Sequence, residues 1–141
     1  MIIKQLSVFL ENTSGRLTEV TEALASAKIN ISAFSIADSA EYGILRLIVN
    51  KPEAAEKVLK EKNLSVHITD VIGLVVPHEP GGLHRALKIL SAEGISVEYM
   101  YAFALGDRAT VIVRTEAMQH TLEVLQHHKM ELIKASEIYE V

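Results

Sequence analysis

A shift of 66 residues lays the second half of this chain on the first without a gap. Gly15-Arg16-Leu17 then falls on Gly81-Gly82-Leu83, Leu24 on Leu90, Ile29 on Ile95, Ile31 on Val97, Val58-Leu59 on Val124-Leu125 and Ile72 on Ile138. Strict identities are few. The agreement lies in apolar positions and a turn glycine, so the halves share a fold more than a sequence. This period divides the chain into a module over 1–69 and a second over 70–141. Modules of this size bury only about 60% of their unfolded surface and are marginal alone, which predicts tight packing into one cooperative unit.

Each half carries the same succession of hydrophobic periods. Residues 2–10 read as a strand, with Leu6, Val8 and Leu10 alternating against polar neighbours. Turn chemistry at 12–15 leads into a helix to about residue 27, with Leu17, Val20 and Leu24 on one face, and Lys28 ends it. Strands over 29–37 and 44–50 follow, then a helix opened by Pro52, then a closing strand through Leu64, Val66 and Ile68. In the second half the strand is 71–76, and the turn spans 77–82. The helix puts Leu83, Ala86, Leu87 and Leu90 inward before a capping Gly94. Strands over 95–105 and 109–115, a helix near 117–128 and a strand over 130–135 complete it, and 136–141 reads as one extra strand. The class is α+β. Each half is strand-helix-strand-strand-helix-strand, which builds an antiparallel four-stranded sheet with both helices on one face.

Composition removes several function classes. The net charge of −4 and the lack of a Lys/Arg cluster exclude a counterion-releasing nucleic-acid face. Without cysteine there is no disulfide, thiol nucleophile or thiolate metal site. Apolar content is 49%, yet no run approaches the roughly 20 residues of a membrane span. The apolar surplus covers a sheet with helices and accommodates a homodimer. No signal-peptide pattern opens the chain, so the expected location is cytoplasmic.

The candidate site is the strand-to-helix turn, present twice. A helix start offers unpaired N–H groups and a positive dipole end, which favour a carboxylate or phosphate. Glycine lets a ligand approach the backbone. The first copy comprises Asn12, Thr13, Ser14, Gly15, Arg16 and Leu17, and the second Glu79, Pro80, Gly81, Gly82 and Leu83. Asn30, with Ile31 and Ser32, opens the second strand, where the Asn30 side-chain oxygen suits a ligand ammonium; a plain turn residue is the competing account. His120, Glu123 and His127 share one helix face without a strong ligand spacing, so a solvated face is preferred to a metal site. No nucleophile elbow, P-loop or G-x-G-x-x-G supports catalysis, and no cofactor is expected. A small enzyme built on His78, Glu79 or His84 would require convergent groups that sequence does not reveal. Tyr99, Tyr101 and Phe103 form a stripe at strand spacing. It suits core or partner contact better than base stacking, because the basic-aromatic signature is missing.

These residues together resemble the ACT family of amino-acid-sensing domains, in tandem. The likeness rests on Leu6 to Leu10, on Asn12-Thr13-Ser14-Gly15-Arg16-Leu17 and on Lys28-Ile29-Asn30-Ile31. In the second half it rests on Val75-Val76-Pro77-His78-Glu79-Pro80-Gly81-Gly82-Leu83 and Glu93-Gly94-Ile95-Ser96-Val97. Asn12, Gly15, Leu17 and Asn30 match the family pattern in the first copy, and Pro80, Gly81 and Leu83 in the second. Ser14, His78 and Ser96 depart from it, which makes the first copy the fuller half-site. The resemblance implies two ferredoxin-like βαββαβ modules packed side by side, with their sheets joined into one of eight strands. It implies a free amino acid bound at the seam, between the turn of one unit and strand two of its neighbour, largely by main-chain contacts. It also implies a non-enzymatic regulatory protein or subunit acting on a separate enzyme or other protein. The alternative is a protein–protein interaction module without ligand binding.

Overall fold

The computed structural model describes the chain except residues 1, 12, 39, 40, 140 and 141. Its elements run β1 (Ile2–Glu11), α1 (Arg16–Ser26), β2 (Ile31–Asp38), β3 (Tyr42–Val49), α2 (Pro52–Glu61) and β4 (Ser65–Pro77). They continue with α3 (Gly82–Ala92), β5 (Val97–Leu105), β6 (Arg108–Thr115), α4 (Met118–His127), β7 (Glu131–Leu132) and α5 (Ala135–Tyr139). The chain forms two compact units. One is Lys4–Thr69 joined by residues 136–139, and the other Asp70–Ala135 joined by residues 2–3.

In the first unit the strands lie in the order β2-β3-β1-β4. β1 and β2 both pair antiparallel with β3, with Leu6 opposite Leu47, Val8 opposite Leu45 and Phe34 opposite Leu47. Alternation sends Leu6, Val8, Leu10, Leu45, Leu47 and Val49 to one face. There they bury against Val20 and Leu24 of α1 and Ala55 and Leu59 of α2. β2 is the edge strand among the described residues, and its Phe34 and Ile36 remain 65% and 52% exposed.

The second unit repeats the plan in the order β5-β6-β4-β7. Ile72 opposes Val113, Leu74 opposes Val111 and Val76 opposes Ala109, forming a floor for Ala86, Leu90, Val124 and Leu125 of the two helices. Tyr99, Tyr101 and Phe103 pair with Arg114, Ile112 and Thr110, out of phase with that core, so the aromatic stripe lies half-buried on the face away from the helices.

Three sequence expectations change. The strands over 64–68 and 71–76 are one continuous β4 of 13 residues, so the described residues form seven strands where the resemblance implied eight. The strand over 130–135 shrinks to Glu131–Leu132, and the described part of the expected tail strand, through Tyr139, lies in the short helix α5, with residues 140–141 outside the described residues. A helical turn buries Ile138 completely and brings the Tyr139 hydroxyl to 2.9 Å from the Lys4 N–H, which donates to it.

Candidate functional site

Both predicted turns exist, and they are built alike. Gly15 precedes α1 at φ 91°, and Gly81 precedes α3 at φ 85°. Both glycines adopt the left-handed conformation that a side chain disfavours, which explains their pairing in the repeat. Neither helix has a side-chain cap. The Arg16 N–H donates to the Thr13 carbonyl at 3.4 Å and the Gly82 N–H to the Glu79 carbonyl at 3.0 Å. From Glu19 and Arg85 onward the helical ladder takes over, with bonds back to Gly15 and Gly81 of 3.0 Å each. The N–H groups of Leu17 and Thr18, and of Leu83 and His84, therefore point out of their helices with no acceptor among the described residues.

Asn12 lies outside the described residues. Thr13, Ser14 and Gly15 form the first turn, exposed. Arg16 folds back along α1, its Nη1 2.8 Å from Glu19 Oε2, while Leu17 is a large exposed apolar side chain. Asn30, Ile31 and Ser32 sit at the start of β2, beyond the far end of α1. The 11 residues of that helix separate them from the turn by about 16 Å within the unit. The Asn30 N–H donates to Asn50 Oδ1 at 2.9 Å, and the Asn50 N–H returns to the Asn30 carbonyl at 3.1 Å. Ile31 packs against the core. Ser32 Oγ is buried with no hydrogen-bond partner.

The second turn is tied to its neighbours. The His78 N–H donates to the Asp107 carbonyl at 2.7 Å, tying the loop to the β5–β6 turn. Glu79 is neutralised by Arg85 at 2.7 Å. Gly82 is needed for a separate reason: a Cβ there would stand 2.2 Å from the Pro77 carbonyl oxygen, so α3 starts against the end of β4.

Beside this turn lies a hollow of about 300 Å³ on the helical side of the sheet. Val76 of β4, Ala109 and Val111 of β6, and Ala102 and Ala104 of β5 form its floor, and Pro77 and Phe103, in the opposite strand phase, also line it. His78, Glu79 and Leu83 form its wall. Of the residues singled out by sequence, His78, Glu79, Leu83 and Phe103 line it; Ala102, Ala104, Ala109 and Val111 were missed. The signal of the alanines is small size. The shift of 66 residues sets Ala102 and Ala104 against Ile36 and Asp38, and strand positions usually favour bulkier side chains.

Two other hollows lie between helix pairs. One of about 470 Å³ is rimmed by Arg16, Glu19, Glu22 and Lys62. Another of about 200 Å³ is rimmed by Glu93, His120, Glu123, His127 and His128. Mixed exposed charge gives neither a reason to exclude water. Among the described residues no group of three or more histidines or carboxylates is placed to hold a metal ion. No described helix is long and apolar enough to cross a membrane.

Two units of one βαββαβ plan, each with its helix pair on one face, define a tandem ferredoxin-like α+β protein. The chain belongs to the ACT domain pair family, whose model matches residues 1–141. Among solved structures it is similar to a protein from Bacteroides thetaiotaomicron, at 51% identity and a TM-score of 0.96 over 100% of this chain and 98% of that one. It is also similar to the ligand-free regulatory subunit of aspartate kinase from Thermus thermophilus, at 14% identity and a TM-score of 0.66 over 88% and 91% of the two chains. The regulatory subunit of aspartate kinase from Thermus flavus gives 14% identity and a TM-score of 0.64 over 88% and 90%. The last two likenesses concern fold alone. No curated protein matches the chain.

Proposed function

We propose that this ACT domain pair is a non-catalytic regulatory protein that binds a free amino acid at its glycine turns and acts on a separate enzyme or other protein. The observation that carries the reading is the doubled turn, with two N–H groups beyond a left-handed glycine in each copy that no described residue caps. Such a turn suits a ligand carboxylate, because unpaired donors and the helix dipole both favour an anion there. Residues 12–17 and 79–83 supply this backbone, and Asn30, Ile31 and Ser32 remain candidates through the buried, unpartnered Ser32 hydroxyl. The regulatory subunits of aspartate kinase with the same fold give the proposal its regulatory sense.

A thermal-shift screen of the twenty amino acids tests it. A ligand at about 100 times its dissociation constant adds about 2.7 kcal/mol to stability. At least one amino acid at millimolar concentration is expected to raise the melting temperature. A flat screen would remove ligand sensing.

The second reading, an interaction module without ligand binding, is favoured by one feature: the exposed Phe34 and Ile36 on edge strand β2. It predicts that Phe34→Ser lowers the mass of an assembly seen by light scattering.

A further inference from the structure

We propose that the hollow at the second turn selects an amino acid with an aliphatic side chain, and that Ala102 sets the size it accepts. This rests on the amino-acid reading above and narrows it. The argument starts from what the hollow offers a side chain. Val76, Leu83, Ala102, Ala104, Ala109 and Val111 present only methyl and methylene groups. A charged or hydroxylated side chain entering there would lose water and gain no hydrogen-bond partner from these six residues. His78 and Glu79 stand at the wall, and Glu79 is already held by Arg85 at 2.7 Å. A volume of about 300 Å³ lies at the small end for ligand sites, in the range of a single amino acid.

Leu83 joins the two halves of the recognition. Its side chain lines the hollow, while its own N–H, with that of His84, is one of the uncapped donors of α3. A ligand whose carboxylate meets those donors has its side chain directed along Leu83 onto the alanines. The same strand position in the first copy is Ile36, whose bulk shows that this backbone site tolerates a branched side chain.

Calorimetry on the full chain tests the assignment, with L-leucine, L-isoleucine, L-valine, glycine, L-lysine and L-aspartate as probes. Each buried methylene contributes about fourfold in affinity, so the tightest aliphatic ligand is expected to bind tens of times more tightly than glycine. Ala102→Ile, which copies the first repeat into the second, is expected to weaken that ligand at least tenfold while the unliganded melting temperature stays within a few degrees. Should L-lysine or L-aspartate bind and the aliphatic ligands not, the side-chain assignment is overturned and amino-acid sensing stands. Should an aliphatic ligand bind equally well to Ala102→Ile, the hollow is not the site. Should none of the twenty amino acids bind, the sensing reading fails and this inference with it.

Discussion

Glycines at matching places in this chain do different physical work. Gly15 and Gly81 are selected by backbone angle, whereas Gly82 is selected by space. An added Cβ meets nothing within 4 Å at Gly15, but at Gly82 it meets the Pro77 carbonyl oxygen at 2.2 Å. Gly15→Ala is therefore expected to cost only the left-handed conformation, about 1–2 kcal/mol. Gly82→Ala must push the buried start of α3 off β4. Its cost is expected to be larger, about 2–3 kcal/mol by the usual range for overpacking. Urea denaturation of both variants checks the order, and an equal or reversed cost would contradict it. Sequence shows the first pair because the repeat aligns them. It hides Gly82, because its counterpart is Arg16 and the repeat therefore offers no second glycine there.

The four long helices end in one device. Lys28, Asn63, Gly94 and Lys129 follow α1, α2, α3 and α4 at φ of 58°, 62°, 69° and 55°. Beyond each, an N–H reaches back into the last turn: Ile29 to Leu24, Leu64 to Leu59, Ile95 to Leu90 and Met130 to Leu125, at 2.9–3.2 Å. The same residue pairs are apolar, so each cap also seals the helix against its core. Gly94 is built for that angle and Asn63 tolerates it, whereas the two lysines do not. Lys28→Gly is expected to relieve left-handed strain of about 1–2 kcal/mol against a larger unfolded-state entropy, a net gain of about 0.5–1 kcal/mol seen as a rise in melting temperature. A fall would mean that the lysine stem makes contacts worth more than the strain. These ends were legible because helix periodicity stops at Lys28 and at Gly94. The fused β4 was not, because the polar Thr69-Asp70 pair reads as a break although the strand continues through it. Nor was α5, where a single buried isoleucine carries no period. The hollow was illegible for another reason: alanines in a strand give no chemical signal until the turn is folded over them.

At the scale of the molecule the repeat predicts two halves, but the units do not follow its boundary at the chain ends. Residues 2–3 belong with Asp70–Ala135, and residues 136–139 with Lys4–Thr69. Ile3 is fully buried, and its Cδ1 would lie 2.9 Å from a Cβ added at Gly73, where Ile133 also packs at 2.1 Å. Ile138 is fully buried in the other unit. Each unit thus completes its core with an apolar side chain from the opposite end of the sequence, and a fragment cut at residue 69 carries that side chain away. Truncating a buried isoleucine to alanine costs about 2–5 kcal/mol, a large share of the roughly 5–15 kcal/mol that holds a domain together. Fragments 1–69 and 70–141, made separately, are each expected to lack a cooperative thermal transition. In the full chain, Ile3→Ala and Ile138→Ala are each expected to lower stability by about 2–5 kcal/mol. Calorimetric scans of the fragments and urea curves of the variants measure both effects. Fragments that melt cooperatively, beside variants that cost under about 1 kcal/mol, would show that the exchanged ends are ornaments on two self-sufficient modules.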